Sequence, residues 1–201
     1  MLISFIRHTE SKLNTSNIYS DQDLGLSEKG KLQAKTIANF ISTKDYQQII
    51  TSSQKRALET AKIIASAKEL KIDERLVEIR KPSALLNLHA HSQDFQAIKN
   101  ALLEHGHKQN WKHSDEESYY HFYDRIISFL ADLSGESALI ITHSAVIRMI
   151  IVITQNPKTK PQAIIRQFLD SRHTIDINHG DLVNIEKIGN ELQFIAIGKI
   201  I

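Results

Sequence analysis

The 201-residue chain has no cysteine, which excludes a disulfide scaffold, a thiolate nucleophile and a cysteine-ligated metal. It also has little excess charge: 25 Lys and Arg stand against 23 Asp and Glu, a formal +2. So close a balance supplies no general field for nucleic acid or an anionic membrane, and neither is expected as a partner. Long apolar runs are missing too. Residues 1–6 are too few for a signal peptide and lack a small-residue cleavage site, so a cytoplasmic location is expected. Residues 138–154 are interrupted by His143 and Arg148 and fall short of the roughly 20 residues a membrane span needs. They read as a buried strand followed by a buried helix. No internal repeat or low-complexity stretch is present.

What is there is 41% hydrophobic, enough to build a sizeable core in one domain over residues 1–201. Residues 2–6 form a short apolar run, and Ala34, Ile37, Ala38 and Ile41 follow at the spacing of a one-faced helix, with Ser27 as its N-cap. Gln48–Thr51 reads as a second strand, and Ala57, Ala61 and Ile64 mark a helix beginning near Ser53. Strand, helix, strand, helix implies a parallel sheet. Residues 73–79 read as an exposed strand or a connection leaving one sheet edge. From 81 to 118 the pattern weakens to two helical segments at most, as expected of a cap inserted over the core. Tyr119, Phe122, Tyr123, Ile126, Leu130 and Leu133 make a long helical stripe ending at Gly135, and Ser137–Thr142 is a compact strand before His143. The segment around Pro157 and Pro161 reads as a connection. Residues 174–178, 182–188 and 192–197 read as strands, the last two joined by a Gly189-Asn190 hairpin turn.

In open parallel sheets, ligands collect beyond the carboxyl ends of the strands, where helix N-termini present backbone N–H groups. Three such ends carry cationic or nucleophilic groups: Arg7-His8, Arg56 and His143. Two arginines and two histidines around one crevice suit a small dianion such as a phosphate ester, because guanidinium forks match its oxygens and stay charged. Arg56 in the first turn of a helix opposes the helix dipole, which points to an anion nearby.

These residues lie in segments that resemble the histidine phosphatase (phosphoglycerate mutase-like) superfamily. Arg7-His8-Thr9-Glu10-Ser11 is similar to the family's Arg-His-Gly-Glu-Thr signature, with Asn14 following. Leu26-Ser27-Glu28-Lys29-Gly30, ending in Gln33-Ala34, resembles its second segment, and Ser52-Ser53-Gln54-Lys55-Arg56-Ala57-Leu58-Glu59-Thr60-Ala61 the one that carries the second arginine. Leu76-Val77-Glu78 resembles its Leu-x-Glu, and Thr142-His143-Ser144 its Thr-His-Gly. The resemblance implies a three-layer α/β/α sandwich with a mostly parallel central sheet and a helical cap insertion, here at about 81–118. It implies His8 as a nucleophile that is transiently phosphorylated and Glu78 as proton donor. Arg7, Arg56 and His143 would be phosphate ligands, Asn14 a further polar contact, and neither metal nor other cofactor is called for. Thr9 and Ser144 stand where glycine is usual: Thr9 implies a differently shaped loop, and Ser144 a narrower pocket or an added hydroxyl contact with substrate.

The expected partner is a phosphorylated small molecule or a phosphoprotein, and the expected reaction is hydrolysis of a phosphate monoester. After Glu78 the chain reads Ile-Arg-Lys-Pro-Ser, unlike the glycolytic mutases, so phosphoryl transfer to a sugar acid is the alternative. A non-catalytic phosphate-binding module is the other. Arg80, Lys81, Lys112 and His113 are candidates to face the pocket from the cap. Glu116-Glu117-Ser118 reads as a helix N-terminus. The pairs His89-x-His91 and His105-x-His107 read as exposed polar stretches, not metal ligands.

Overall fold

The computed structural model describes residues 1–12, 17–66, 68–189 and 191–200. Six strands form one sheet: β1 (Leu2–Arg7), β2 (Gln48–Thr51), β3 (Leu70–Ile72), β4 (Ser137–Thr142), β5 (Leu182–Ile188) and β6 (Glu191–Gly198), in the order β3-β2-β4-β1-β5-β6. The β3-β2, β2-β4 and β4-β1 pairings are parallel, and β1-β5 and β5-β6 are antiparallel. The sheet is therefore mostly parallel, with an antiparallel hairpin on one edge.

Alternation along the strands builds the three layers. Ile3, Phe5, Ala138 and Ile140 face one side, where they meet α4 (Tyr119–Asp132), α5 (Ser144–Gln155) and α6 (Pro161–Asp170). Ile6, Ile49, Leu139 and Ile141 face the other, against α1 (Glu28–Ile41) and α2 (Lys55–Ala65). Phe5, Phe122, Phe129 and Phe168 are fully buried, each contributing about 1.5–3 kcal/mol of apolar burial. Ser27 caps α1 as expected, its Oγ accepting from the Gly30 N–H.

The chain departs from expectation at four places. The edge strand β3 is unexpected; residues 73–79 take the second of their two readings, a connection, which opens with a 3-10 turn over Glu74–Leu76. The helix after β2 begins at Lys55 rather than near Ser53. Pro161 opens α6 instead of lying in a connection: at the first position of a helix its missing N–H costs nothing. Residues 174–178 are not a strand. Their ladder groups are engaged elsewhere, the Ile177 carbonyl by the Arg7 guanidinium and the Asn178 N–H by the Asp181 carboxylate. Gly189 takes positive φ between β5 and β6; Asn190, expected beside it in the turn, lies outside the described residues.

Between β3 and β4 the chain runs through a 3-10 turn at Ser83–Leu85 and through α3 (Gln93–His105). It leaves and returns at one neck, where the Glu117 N–H donates to the Arg80 carbonyl at 3.0 Å. Ile18 bridges His89, so the stretch that follows the β1 loop is tied to this segment.

Candidate active site

The carboxyl ends of β1, β2 and β4 lie side by side, with Arg7 paired to Thr142 and Thr51 to Ile141. The ladder continues one residue further. The His8 N–H donates to the Thr142 carbonyl at 2.8 Å and the Ser52 N–H to the Ile141 carbonyl at 3.0 Å. His8, Ser52 and His143 are thereby set next to one another by backbone bonds.

His8 is 4% exposed. Its Nδ1 lies 2.8 Å from the Thr9 carbonyl, and its Nε2 accepts from Arg56 Nε at 3.2 Å. Burial, reinforced by the Arg56 guanidinium, holds its pKa well below the usual 6.5. The ring is neutral near pH 7. A carbonyl can only accept, so Nδ1 carries the hydrogen and the Nε2 lone pair is the reactive one.

His143 is the N-cap residue of α5, and its ring centroid is 5.1 Å from that of His8. Its Nε2 lies 2.9 Å from Ser52 Oγ. Ser52 Oγ also accepts from the Gln54 N–H, and it can still either donate to His143 Nε2 or accept from it. His143 Nδ1 is buried and without a partner among the described residues. Burial and then His8 keep this ring neutral as well. Arg7 Nε is a buried donor with no partner among the described residues. Unpartnered nitrogens beside two arginines that remain charged at any working pH fit a polyoxygen anion.

Arg56 stands in the first turn of α2. The anion expected beside it belongs to the protein: Asp23 accepts from the Lys55 N–H at 2.8 Å, capping α2, and lies 3.9 Å from Arg56. Gln54 Oε1 accepts from Arg56 at 2.9 Å and from the Glu78 N–H at 3.1 Å, joining the two. The Glu78 carboxylate accepts from the Ile79 N–H at 2.9 Å and from the Ala145 N–H, at the start of α5, at 3.4 Å. Burial lowers the Arg7 and Arg56 guanidinium pKa, and Glu78 is the leading charge acting against that in both.

Arg7, His8, Arg56 and Glu78 line one cavity of about 570 Å³ with Gln54, while His143 sits behind His8. Arg80 and Lys81 line the same cavity. Lys112 lines a neighbouring cavity that meets it at Glu78 and Arg80. The backbone N–H of His113 is bound by Glu116, and Ser118 caps α4. Ser144 lies apart from the His8 cavity, on an adjoining one that also meets it at Glu78. Asn14 lies outside the described residues.

Thr9 does not adopt positive φ, and its place is explained by contacts: its N–H donates to Thr60 Oγ1, and the two hydroxyls lie 3.2 Å apart. The second motif segment braces the same loop. Ser27 Oγ donates to the Glu10 carboxylate at 2.7 Å, and Gln33 Oε1 accepts from the Glu10 N–H at 3.0 Å. A Cβ on Gly30 would fall 1.9 Å from the Glu10 carbonyl oxygen, so only glycine fits there.

Sequence reasoning missed His179. Its Nε2 is 3.0 Å from Arg7, and its ring is 5.4 Å from His8. Burial and Arg7 bring its pKa down to about 4. The signal available was the turn Asn178-His179-Gly180-Asp181, in which Gly180 has φ +82 and its N–H returns to the Arg7 carbonyl at 3.0 Å. Among the described residues, no three His, Asp or Glu side chains gather as a metal site, and no helix is long and apolar enough to cross a membrane.

Residues 3–183 match the profile of the histidine phosphatase superfamily (branch 1). The chain is 30% identical to phosphoserine phosphatase 1 of Hydrogenobacter thermophilus over 155 residues, covering 71% of each. It is 41% identical over 78 residues to a 2,3-bisphosphoglycerate-dependent phosphoglycerate mutase of Thermoplasma acidophilum, covering 37% of this chain and 39% of that protein. Its fold is that of the α-ribazole phosphatase from Shigella flexneri, with TM-score 0.78 at 19% identity over 100% of this chain and 97% of that one. A phosphoserine phosphatase mutant from Entamoeba histolytica in complex with phosphoserine gives TM-score 0.76 at 20% identity, covering 99% and 97%. With its strand-end histidines and arginines set in this fold, the chain belongs to the histidine phosphatase superfamily, branch 1.

Proposed function

We propose that the protein hydrolyses phosphate monoesters through a phosphohistidine on His8 and needs no metal. The observation that carries this reading is the His8 ring: neutral, pinned through Nδ1 by the Thr9 carbonyl, and presenting its Nε2 lone pair beside Arg56. In the first step Nε2 forms a bond to phosphorus as the bond to the ester oxygen breaks, and Glu78 gives that oxygen a proton. In the second, Glu78 takes a proton from water, water oxygen bonds to phosphorus, and the N–P bond breaks to restore neutral His8. Arg7 and Arg56, with the unpartnered ring nitrogen of His143 beside His8, hold the equatorial oxygens, where preorganised charge counts most. By analogy with a single catalytic arginine, loss of either would cost on the order of a thousandfold in rate.

Residues 81–118 serve as the cap of a single domain and set the choice of phosphorylated small molecule or phosphoprotein. Arg80 and Lys81 on the wall of the His8 cavity support that role. Transfer to a bound acceptor instead of water is the second reading, favoured by the 41% identity of the 78-residue stretch shared with a mutase.

The test is rapid-quench hydrolysis of an aryl phosphate by wild type, His8→Ala and Glu78→Gln. Wild type is expected to accumulate an acid-labile, base-stable phosphoprotein and release phosphate. His8→Ala should lose both, and Glu78→Gln should slow release. A wild type that forms no adduct and turns over no ester leaves a phosphate-binding module; one that moves phosphate only to an added sugar acid is a mutase.

A further inference from the structure

On the far side of Glu78 lies a second cavity of about 410 Å³, which shares Glu78, Ile79 and Lys81 with the catalytic one. Its lining is strongly one-signed: Arg148, Lys81, Lys99 and Arg172 face a single carboxylate, Glu78. Arg148 projects from α5 with its guanidinium 4.6 Å from the Phe168 ring, and its Nε is buried with no partner among the described residues. None of Arg148, Lys81 or Lys99 forms an ion pair among the described residues. Lys81 is exposed and stands where the two cavities meet, with its ammonium 5.4 Å from the Tyr19 ring on the His8 side. Burial lowers the pKa of Arg148, and Glu78 is the first charge to offset it.

Packing on Phe168 accounts for the stem and one face of Arg148, but not for an unpartnered donor in a cavity that gathers three more cations. A buried guanidinium donor without a partner is costly, and an anion entering the cavity relieves that cost. The ester phosphate is already provided for by the groups around His8. We propose that this cavity is a second anion subsite, where Arg148 and Lys81 receive a carboxylate or second phosphate borne by the alcohol part of the substrate. The proposal rests on the phosphatase reading above. It places the scissile bond beside Glu78, between the two subsites, and selects acidic phosphomonoesters over neutral ones.

The experiment compares carboxyphenyl phosphate and phenylene bisphosphate with the neutral carbamoylphenyl phosphate, in wild type, Arg148→Met, Arg148→Lys and Lys81→Met. Wild type is expected to favour at least one acidic ester by about tenfold or more in kcat/KM, mainly through KM, as one charged hydrogen bond would provide. The two acidic probes separate carboxylate from phosphate recognition. Arg148→Met should erase the preference, Arg148→Lys should keep part of it, and Lys81→Met, at an exposed position, tests the subsite even if Arg148→Met does not fold. No preference in wild type, or equal losses on acidic and neutral esters, overturns the subsite and leaves the phosphatase reading intact. Turnover of none of the three overturns both.

Discussion

Arg56 Nε donates to His8 Nε2 across 3.2 Å, so the guanidinium that would grip a phosphate oxygen in the proposed reaction also holds the His8 Nε2 lone pair beforehand. A cation in that position disfavours protonation of the ring, as burial does. Nitrogen-15 spectra of the free protein at pH 7 are expected to show His8 with Nδ1 protonated and Nε2 bare, and no titration of that ring near 6.5. A His8 resonance that titrates near 6.5, or the opposite tautomer, would contradict the arrangement.

Gln54 holds Arg56 and the Glu78 backbone through a single oxygen. Gln54→Ala should leave stability nearly unchanged and lower kcat by between about tenfold and a hundredfold, since small misplacements of charged groups are costly in rate. Gln54→Glu, which keeps an acceptor in place, should recover part of it. Equal kcat in wild type and Gln54→Ala would remove Gln54 from any positioning role.

Gly30→Ala places a methyl group against the Glu10 carbonyl, within the loop that follows His8. Overpacking against backbone should cost about 1–3 kcal/mol or more, read as a lower urea midpoint, with a fall in activity as the loop shifts. Gly189→Ala has open space around it, and its φ of +59 alone should cost about 1–2 kcal/mol without touching activity.

Stability should fall on the acid side of neutrality. His8, His143 and His179 all have folded pKa values below that of the unfolded ring, so the unfolded chain binds more protons as pH drops. Their contribution is complete above about 6.5 and is lost as pH falls; for His179 the loss runs down to about 4. Melting temperatures should decline across that window, and His179→Gln should flatten the decline. A melting temperature constant from 6.5 to 4 would contradict the shifts.

Legibility in the sequence followed distance along the chain. Ser27 as a cap and Ser137–Thr142 as a strand were readable because capping and alternation are local. Arg7, His8, Arg56 and His143 were readable as a cluster because parallel strands deliver their carboxyl ends to one edge, a rule that needs no coordinates. Gln54 and Ser52 were not, since their roles are contacts with residues 24 and 91 positions away. His179 escaped because it arrives on a turn from the antiparallel edge, where the strand-end rule says nothing. The helix behind Pro161 was hidden by a residue that breaks helices internally and starts them at the first position.

The strand order carries a consequence for how the protein is made. β4 lies between β1 and β2, and both His8 and Ser52 hang by their backbones from its last residues. A chain emerging from the ribosome thus carries its histidine, both arginines and its glutamate long before the strand that gathers them. The site is therefore complete only with Ser137–Thr142 in the gap between β1 and β2. A fragment cut short of that strand would hold His8, Arg56 and Glu78 with nothing to gather them.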